Sequence, residues 1–213
     1  MYSEAKNNQV TIMGEIVSGY RFSHELYGEK FYLVDVRVKR LSGSYDTIPV
    51  MLSDRLWDLR VDGMGALVKV TGQFRSYNKS DDIKKKLLLS IFARDIEVVE
   101  EINHGVESNQ IYLEGFICKE PVYRETPLGR EISDVLLAVN RPYGKSDYIP
   151  CICWGRNARF VSTLTVGTPC SITGRIQSRE YSKKISDNQT ETRVAYEVSI
   201  SRVEVASNEE QSN

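Results

Sequence analysis

The 213-residue chain carries one pattern twice, and this repeat limits its possible folds more than any other feature. "NQVTIMGEIV" at residues 8–17 matches "NQIYLEGFIC" at 109–118, an offset of 101. At the same offset and without a gap, "GEKFYLVDVRVKRLSGSYDTIPV" (28–50) aligns with "GREISDVLLAVNRPYGKSDYIPC" (129–151). Eight of those 23 positions are identical, including Gly28/Gly129, Arg40/Arg141, Gly43/Gly144 and Ile48-Pro49/Ile149-Pro150. "GALVKVTGQFRS" (65–76) matches "GTPCSITGRIQS" (167–178) after a one-residue shift, and "IEV" (96–98) corresponds to "VEV" (203–205). The pattern predicts two copies of one domain, 1–101 and 109–205, joined by a linker at 102–108 and followed by a short polar tail at 206–213. A hundred residues is enough for each copy to hold its own core.

Within each copy, apolar residues alternate in short runs separated by glycine or polar clusters, the signature of strands. In the second copy the runs fall at about 109–118, 131–140, 147–154, 169–179 and 192–205. Between the third and fourth, Ala158, Val161 and Leu164 recur at helical spacing in "RNARFVSTLTVG", and Gly167 ends the run. The first copy has "SDRLWDLRVDG" there, with Ser53 a candidate helix N-cap and Trp57 a packing residue. Five strands with a short helix between the third and fourth predict an all-β chain of two tandem OB-folds, small five-stranded Greek-key barrels. Pro49 and Pro150 cannot donate to a ladder and are expected at a barrel edge or bulge.

Composition excludes several function classes. The net charge of −1 means that any nucleic-acid-binding surface must be local, and no apolar run is long enough to span a bilayer. The start has no secretory pattern, so a cytoplasmic location is expected. Cys118, Cys151, Cys153 and Cys170 form no C-x-x-C pair, and Cys151 and Cys153 read as core residues sharing one strand face. His24 and His104 read as solvated loop residues. No metal ligand set, cofactor loop or nucleophile–base arrangement emerges, so no cofactor, no metal and no enzyme activity are expected.

The repeat supplies an internal control on "DYIPCICWGRNAR" (147–159), which as a strand is apolar on both faces. If Tyr143, Tyr148 and Trp154 filled the barrel, the first copy should keep bulky residues, yet it has Ser42, Thr47 and Ser53. Tyr181 matches roughly Lys79, while core positions such as Val34/Val135 and Val38/Val139 stay apolar in both. The aromatics are therefore expected outside and the cysteines inside. Outward aromatics can stack on bases with little sequence preference, and phosphates need cations close by. Arg141 and Lys145 flank Tyr143, Arg156 and Arg159 follow Trp154, and Arg175, Arg179, Lys183 and Lys184 surround Tyr181. Residues 109–202 carry 13 Lys/Arg against 10 Asp/Glu, so placement matters more than the sum.

The motifs "LEGFICKEP", T-x-x-G, "LAVNR", "CWGRNA" and "GRIQSREY" come in the order and spacing of the OB domain of bacterial single-stranded DNA-binding proteins, which residues 109–205 resemble. The resemblance implies that Tyr143, Tyr148, Trp154 and Tyr181 stack on DNA bases, in replication, recombination or repair. It also implies four OB domains per assembly, which a homodimer of this chain would supply, and a nucleoid-associated location. The family's long tail with an acidic, hydrophobic tip has no counterpart in "SNEEQSN", so any replication or repair partners are not expected to bind through such a tip. The first copy keeps the frame without the stacking set. It holds instead Tyr20, Phe22, Tyr27, Tyr45 and Tyr77 with Arg37, Lys39, Arg40 and Arg75. The alternative reading is a primosomal or recombination-accessory protein that acts mainly through protein contacts.

Overall fold

The computed structural model describes residues 6–81, 84–102, 105–186 and 189–205. The tail at 206–213 and His104 lie outside the described residues. The first unit contains β1 (Asn8–Ile16), β2 (Arg21–Leu26), β3 (Glu29–Lys39), β4 (Tyr45–Ser53), β5 (Leu67–Asp81) and β6 (Lys84–Val98). The second contains β7 (Asn109–Ile117), β8 (Val122–Glu125), β9 (Glu131–Asn140), β10 (Ser146–Trp154), α1 (Arg156–Val161), β11 (Pro169–Ser186) and β12 (Gln189–Val205). Each unit is an OB barrel. Its interior is the alternate residues the sequence pattern marks: Val34, Val36, Val38, Ile48 and Val50 in one, Leu137, Val139, Ile149, Cys151 and Cys153 in the other.

The strands run in the order β2-β3-β4-β6-β5-β1-β7-β11-β12-β10-β9-β8, with β1–β3 and β7–β9 pairings closing the barrels. This order is the same read from either end once each strand is replaced by its repeat counterpart. The seam is antiparallel β1–β7 pairing, in which Asn8 faces Leu113 and Ile12 faces Asn109. Subtracting 101 turns Leu113 into position 12 and Asn109 into position 8, so the seam itself has two-fold symmetry. Asn8 brackets Phe74 with two hydrogen bonds of 2.8 Å, and Asn109 brackets Ile176 in the same way at 2.7 and 2.9 Å.

Glycines allow the strands to approach this closely. A Cβ on Gly14 would overlap the Arg37 carbonyl oxygen, and one on its counterpart Gly115 would overlap that of Ala138. Gly72 and Gly174 meet Phe92 and Ser199 in the same manner, and both sit at matching register shifts in β5–β6 and β11–β12. The expected proline environment is also present. Pro49 pairs with Asp35 on one side, while pairing with β6 on the other side begins at Val50.

Three expectations need correction. Each unit has an extra short strand, β2 or β8, hairpinned onto β3 or β9. Every residue of both strands is exposed, so neither carries the burial alternation that marks a strand in sequence. His24 consequently lies in β2 rather than in a loop, stacked on Phe31 at 4.8 Å. The helix forms only in the second unit, where Ala158 and Val161 are buried. In the first unit residues 54–61 are turns, because Asp58 accepts from the Arg60 amide at 3.0 Å and Asp62 from that of Met64 at 3.0 Å. Such side-chain bonds offer the backbone an alternative to the helix. Trp57 still packs against the core and donates to the Tyr20 hydroxyl at 2.6 Å. Lastly, the β11–β12 hairpin runs about ten residues beyond the expected strand ends, into a charged stretch without apolar alternation.

Candidate nucleic-acid interface

Along β10 the inward residues Ile149, Cys151 and Cys153 are buried, and burial pushes the Cys153 thiol up to about 12 and the Cys170 thiol up to about 11. The other side of β10 carries Tyr148 and Trp154, 42% and 41% exposed, six residues apart and hence about 20 Å. Pro150 between them is half-buried, and Ile152 on the same side is buried at 5%. The outward surface is therefore two aromatic stations separated by an apolar floor, rather than a continuous stripe. Neighbouring strands extend it: Ile132 lies opposite Trp154, Ser199 opposite Ile152, and Arg175 opposite Ser199.

Tyr143 stands apart, at positive φ (64°) in the tight turn Pro142–Gly144 and 92% exposed. Tyr181 projects from the β11–β12 hairpin, 37% exposed, with the Arg179 guanidinium 5.9 Å from its ring centre. The hairpins of the two units help form one groove of about 910 Å³, in which Pro49, Tyr77 and Leu87 face Pro150, Tyr181 and Lys183.

The cations divide into three kinds. Lys145 and Arg156 are exposed and make no ion pair among the described residues. Arg159 is 3.0 Å from Glu131, and Arg179 is 3.9 Å from Glu197, with more than half of each side chain exposed. Exposed pairs of this sort are weak and can be exchanged for a phosphate. Lys183 lines the groove, and Lys184 is exposed on the same hairpin.

Arg141, expected among the phosphate contacts, is a different case, because its guanidinium is already engaged within the protein. Its guanidinium is committed to Asp147, 2.6 Å through Nε and closer through Nη2, and it also donates to the Ser76 carbonyl at 2.8 Å. Asp147 is 1% exposed and accepts from the Ser76 amide at 2.5 Å, while Ser76 Oγ accepts from the Tyr148 amide at 2.8 Å. The same latch exists in the other direction. Arg40 binds Asp46 and the Ser178 carbonyl (2.9 Å), and Asp46 accepts from the Ser178 amide (2.6 Å) and hydroxyl (3.1 Å). Arg40/Arg141 and Asp46/Asp147 stayed identical because each fastens its unit to the other.

The first unit's outer surface holds an aromatic group that the comparison of copies did not reveal. Phe92 lies under the Arg75 and Arg94 guanidinium groups, 4.2 and 5.5 Å from its ring centre, and 5.7 Å from Phe31. Burial lowers the Arg75 pKa to about 10, with the charges of Arg141 and Arg94 adding to the effect. Register equates Phe92 with Ser199, so testing only the four second-copy positions could not find it. Of the first-copy aromatics, Tyr20 is structural, Tyr77 lines the groove, and Tyr45 lies under Arg37 at 5.2 Å. Phe22 packs edge-on against Tyr32, and Tyr27 is an exposed turn residue at φ 50°.

Among the described residues no group of acidic, histidine and cysteine side chains could hold a metal ion, and no helix is long and apolar enough to cross a membrane. A sequence model described as "Single-strand binding protein family" matches residues 108–206. The chain is 35% identical over 80 residues to the "Single-stranded DNA-binding protein" of Halalkalibacterium halodurans, covering 34% of this chain and 48% of that one. It is likewise 35% identical over 80 residues to the "Single-stranded DNA-binding protein A" of Bacillus subtilis, covering 34% and 46%. The aligned stretch thus spans about half the length of these relatives. Over nearly the whole chain the fold matches the wild-type single-stranded DNA binding protein from Thermus aquaticus, with TM-score 0.75, 21% identity and coverage of 94% and 93%.

Proposed function

Because residues 108–206 match the single-strand binding protein family, we propose that the chain binds and shields single-stranded DNA without catalysing a reaction on it. One observation carries the reading. Tyr148 and Trp154 are exposed on one outer surface of the second barrel, where the first barrel, folded on the same frame, has Thr47 and Ser53. Large aromatics kept outside by one copy and absent from its twin serve something other than folding. Bases stack on Trp154, Tyr148, Tyr181 and Tyr143, while Lys145, Arg156, Arg159, Arg179, Lys183 and Lys184 meet phosphates. Replication, recombination or repair is the setting, and two chains pair to present four barrels.

The test is affinity for oligo(dT) against a duplex of equal length at matched salt, with mass by sedimentation in parallel. The reading expects a marked single-strand preference, loss of affinity in Tyr148→Ala and twice the chain mass. Equal affinity for both forms, or none for either, would turn the reading toward protein contacts.

A further inference from the structure

A second feature involves both units. On the outer surface of β11 and β12 a pocket of about 440 Å³ is roofed by the first unit's β3–β4 loop, with Lys39, Arg40 and Ser42 on one side and Arg175 and Ser199 on the other. Arg175 Nη1 is buried and makes no hydrogen bond among the described residues, while its Nη2 donates to Gln177 at 3.0 Å. The nearby carboxylate, Asp46 at 3.6 Å, is already bound by Arg40 and Ser178. The Lys39 side chain makes no ion pair or hydrogen bond among the described residues. Lys39, Arg40 and Arg175 against Asp46 leave a local charge of about +2, and burial lowers the Arg175 pKa, with Arg40 adding to it.

The repeat indicates that the fold does not require these charges. The positions matching Lys39 and Arg175 in the other copy are Asn140 and Gln73, while the latch arginines match each other. Lys39 and Arg175 are therefore peculiar to this side, beside the barrel that carries Tyr148 and Trp154; at the matching place on the other side Arg75 and Arg94 instead cover Phe92 and leave no serine-floored opening. Arg175 and Ser199 share a row with Ile152, two strands and hence about 10 Å away, and Trp154 lies one row further. The opening therefore lies within reach of the backbone of a strand that has a base on Trp154.

We propose that the pocket holds one phosphate of the bound single strand, gripped jointly by Lys39 of the first unit and Arg175 of the second. The proposal rests on the strand-binding reading above and gives the first unit a direct part in it. Its test is the salt dependence of oligo(dT) binding by the full chain and by Lys39→Asn, Arg175→Gln and the double variant, each substitution installing the residue its own repeat carries. Single-stranded binding loses about 0.7 of log–log slope per phosphate contact. A shared phosphate predicts a loss of about 0.7 in the double variant and no more in either single one. A loss of about 1.4 in the double variant would put the two cations on separate phosphates, and an unchanged slope would empty the pocket of DNA; either overturns the proposal.

Inorganic phosphate at constant ionic strength tells the two possible sources apart. Saturable micromolar binding lost in Arg175→Gln, with the oligonucleotide slope intact, would assign the pocket to the free ion and overturn the strand as occupant. Wild type that binds no oligonucleotide would overturn the strand-binding reading itself, an outcome distinct from a wild type that binds with a slope the variants leave alone.

Discussion

At residue scale, Trp154 and the cysteines of the same strand differ only in which side of β10 they occupy. Trp154 is 41% exposed, so Trp154→Ala removes the proposed stacking surface and leaves no closed cavity. It should weaken oligo(dT) binding by about 1–3 kcal/mol while shifting the melting temperature little. Cys151, Cys153 and Cys170 are buried, and burial raises each thiol well above its ordinary value, to about 12 for Cys153 and about 11 for Cys170. The reactive thiolate is thus scarce at pH 8 in the folded protein. A thiol reagent should modify half-exposed Cys118 promptly and the other three only on unfolding; rapid labelling of all four would show that β10 faces the other way.

At element scale, the repeat made most of the barrel legible. Alternation located ten of the strands' apolar runs or their counterparts, and the swap of aromatics for small residues located the outward surface. What stayed hidden has physical causes. β2 and β8 are exposed on every residue, so their sequences carry hairpin information without a burial period. Ala158 and Val161 give the second unit's helix a buried face, whereas Asp58 and Asp62 draw the first unit's backbone into turns. Arg141 sits among surface aromatics in sequence, and only the folded arrangement brings Ser76 to it from 65 residues away.

That latch yields a prediction. Asp147→Ala leaves Arg141 and the Ser76 amide without their partner in a buried place and should cost about 3–5 kcal/mol in denaturant unfolding. Asp46→Ala should cost a similar amount, and a loss below about 1 kcal/mol would show that the latches are incidental. Gly115→Ala forces a Cβ against the Ala138 carbonyl and should destabilise by about 1–3 kcal/mol.

At the scale of the whole molecule, the two barrels are parts of one sheet rather than beads on a linker. The β1–β7 seam and the Arg40–Asp46 and Arg141–Asp147 latches all join one unit to the other. Calorimetry should show both barrels melting together in a single transition. Two resolved transitions would mean that the seam does not couple the barrels. The division of labour follows from this union. The second barrel carries Tyr148 and Trp154 on its outer surface, and the first holds the Tyr148 amide through Ser76 and adds Lys39 to the pocket beside them.

The most direct test of that account uses the two tryptophans, which report separately. Trp57 is tied to Tyr20 inside the first unit, and Trp154 stands on the proposed stacking surface. Fluorescence of a Trp57→Phe variant titrated with oligo(dT) at two salt concentrations should be strongly quenched at saturation, with affinity falling as salt rises. Tight binding without any change in the remaining tryptophan would contradict the account, because the strand would then lie somewhere other than on the outer side of β10.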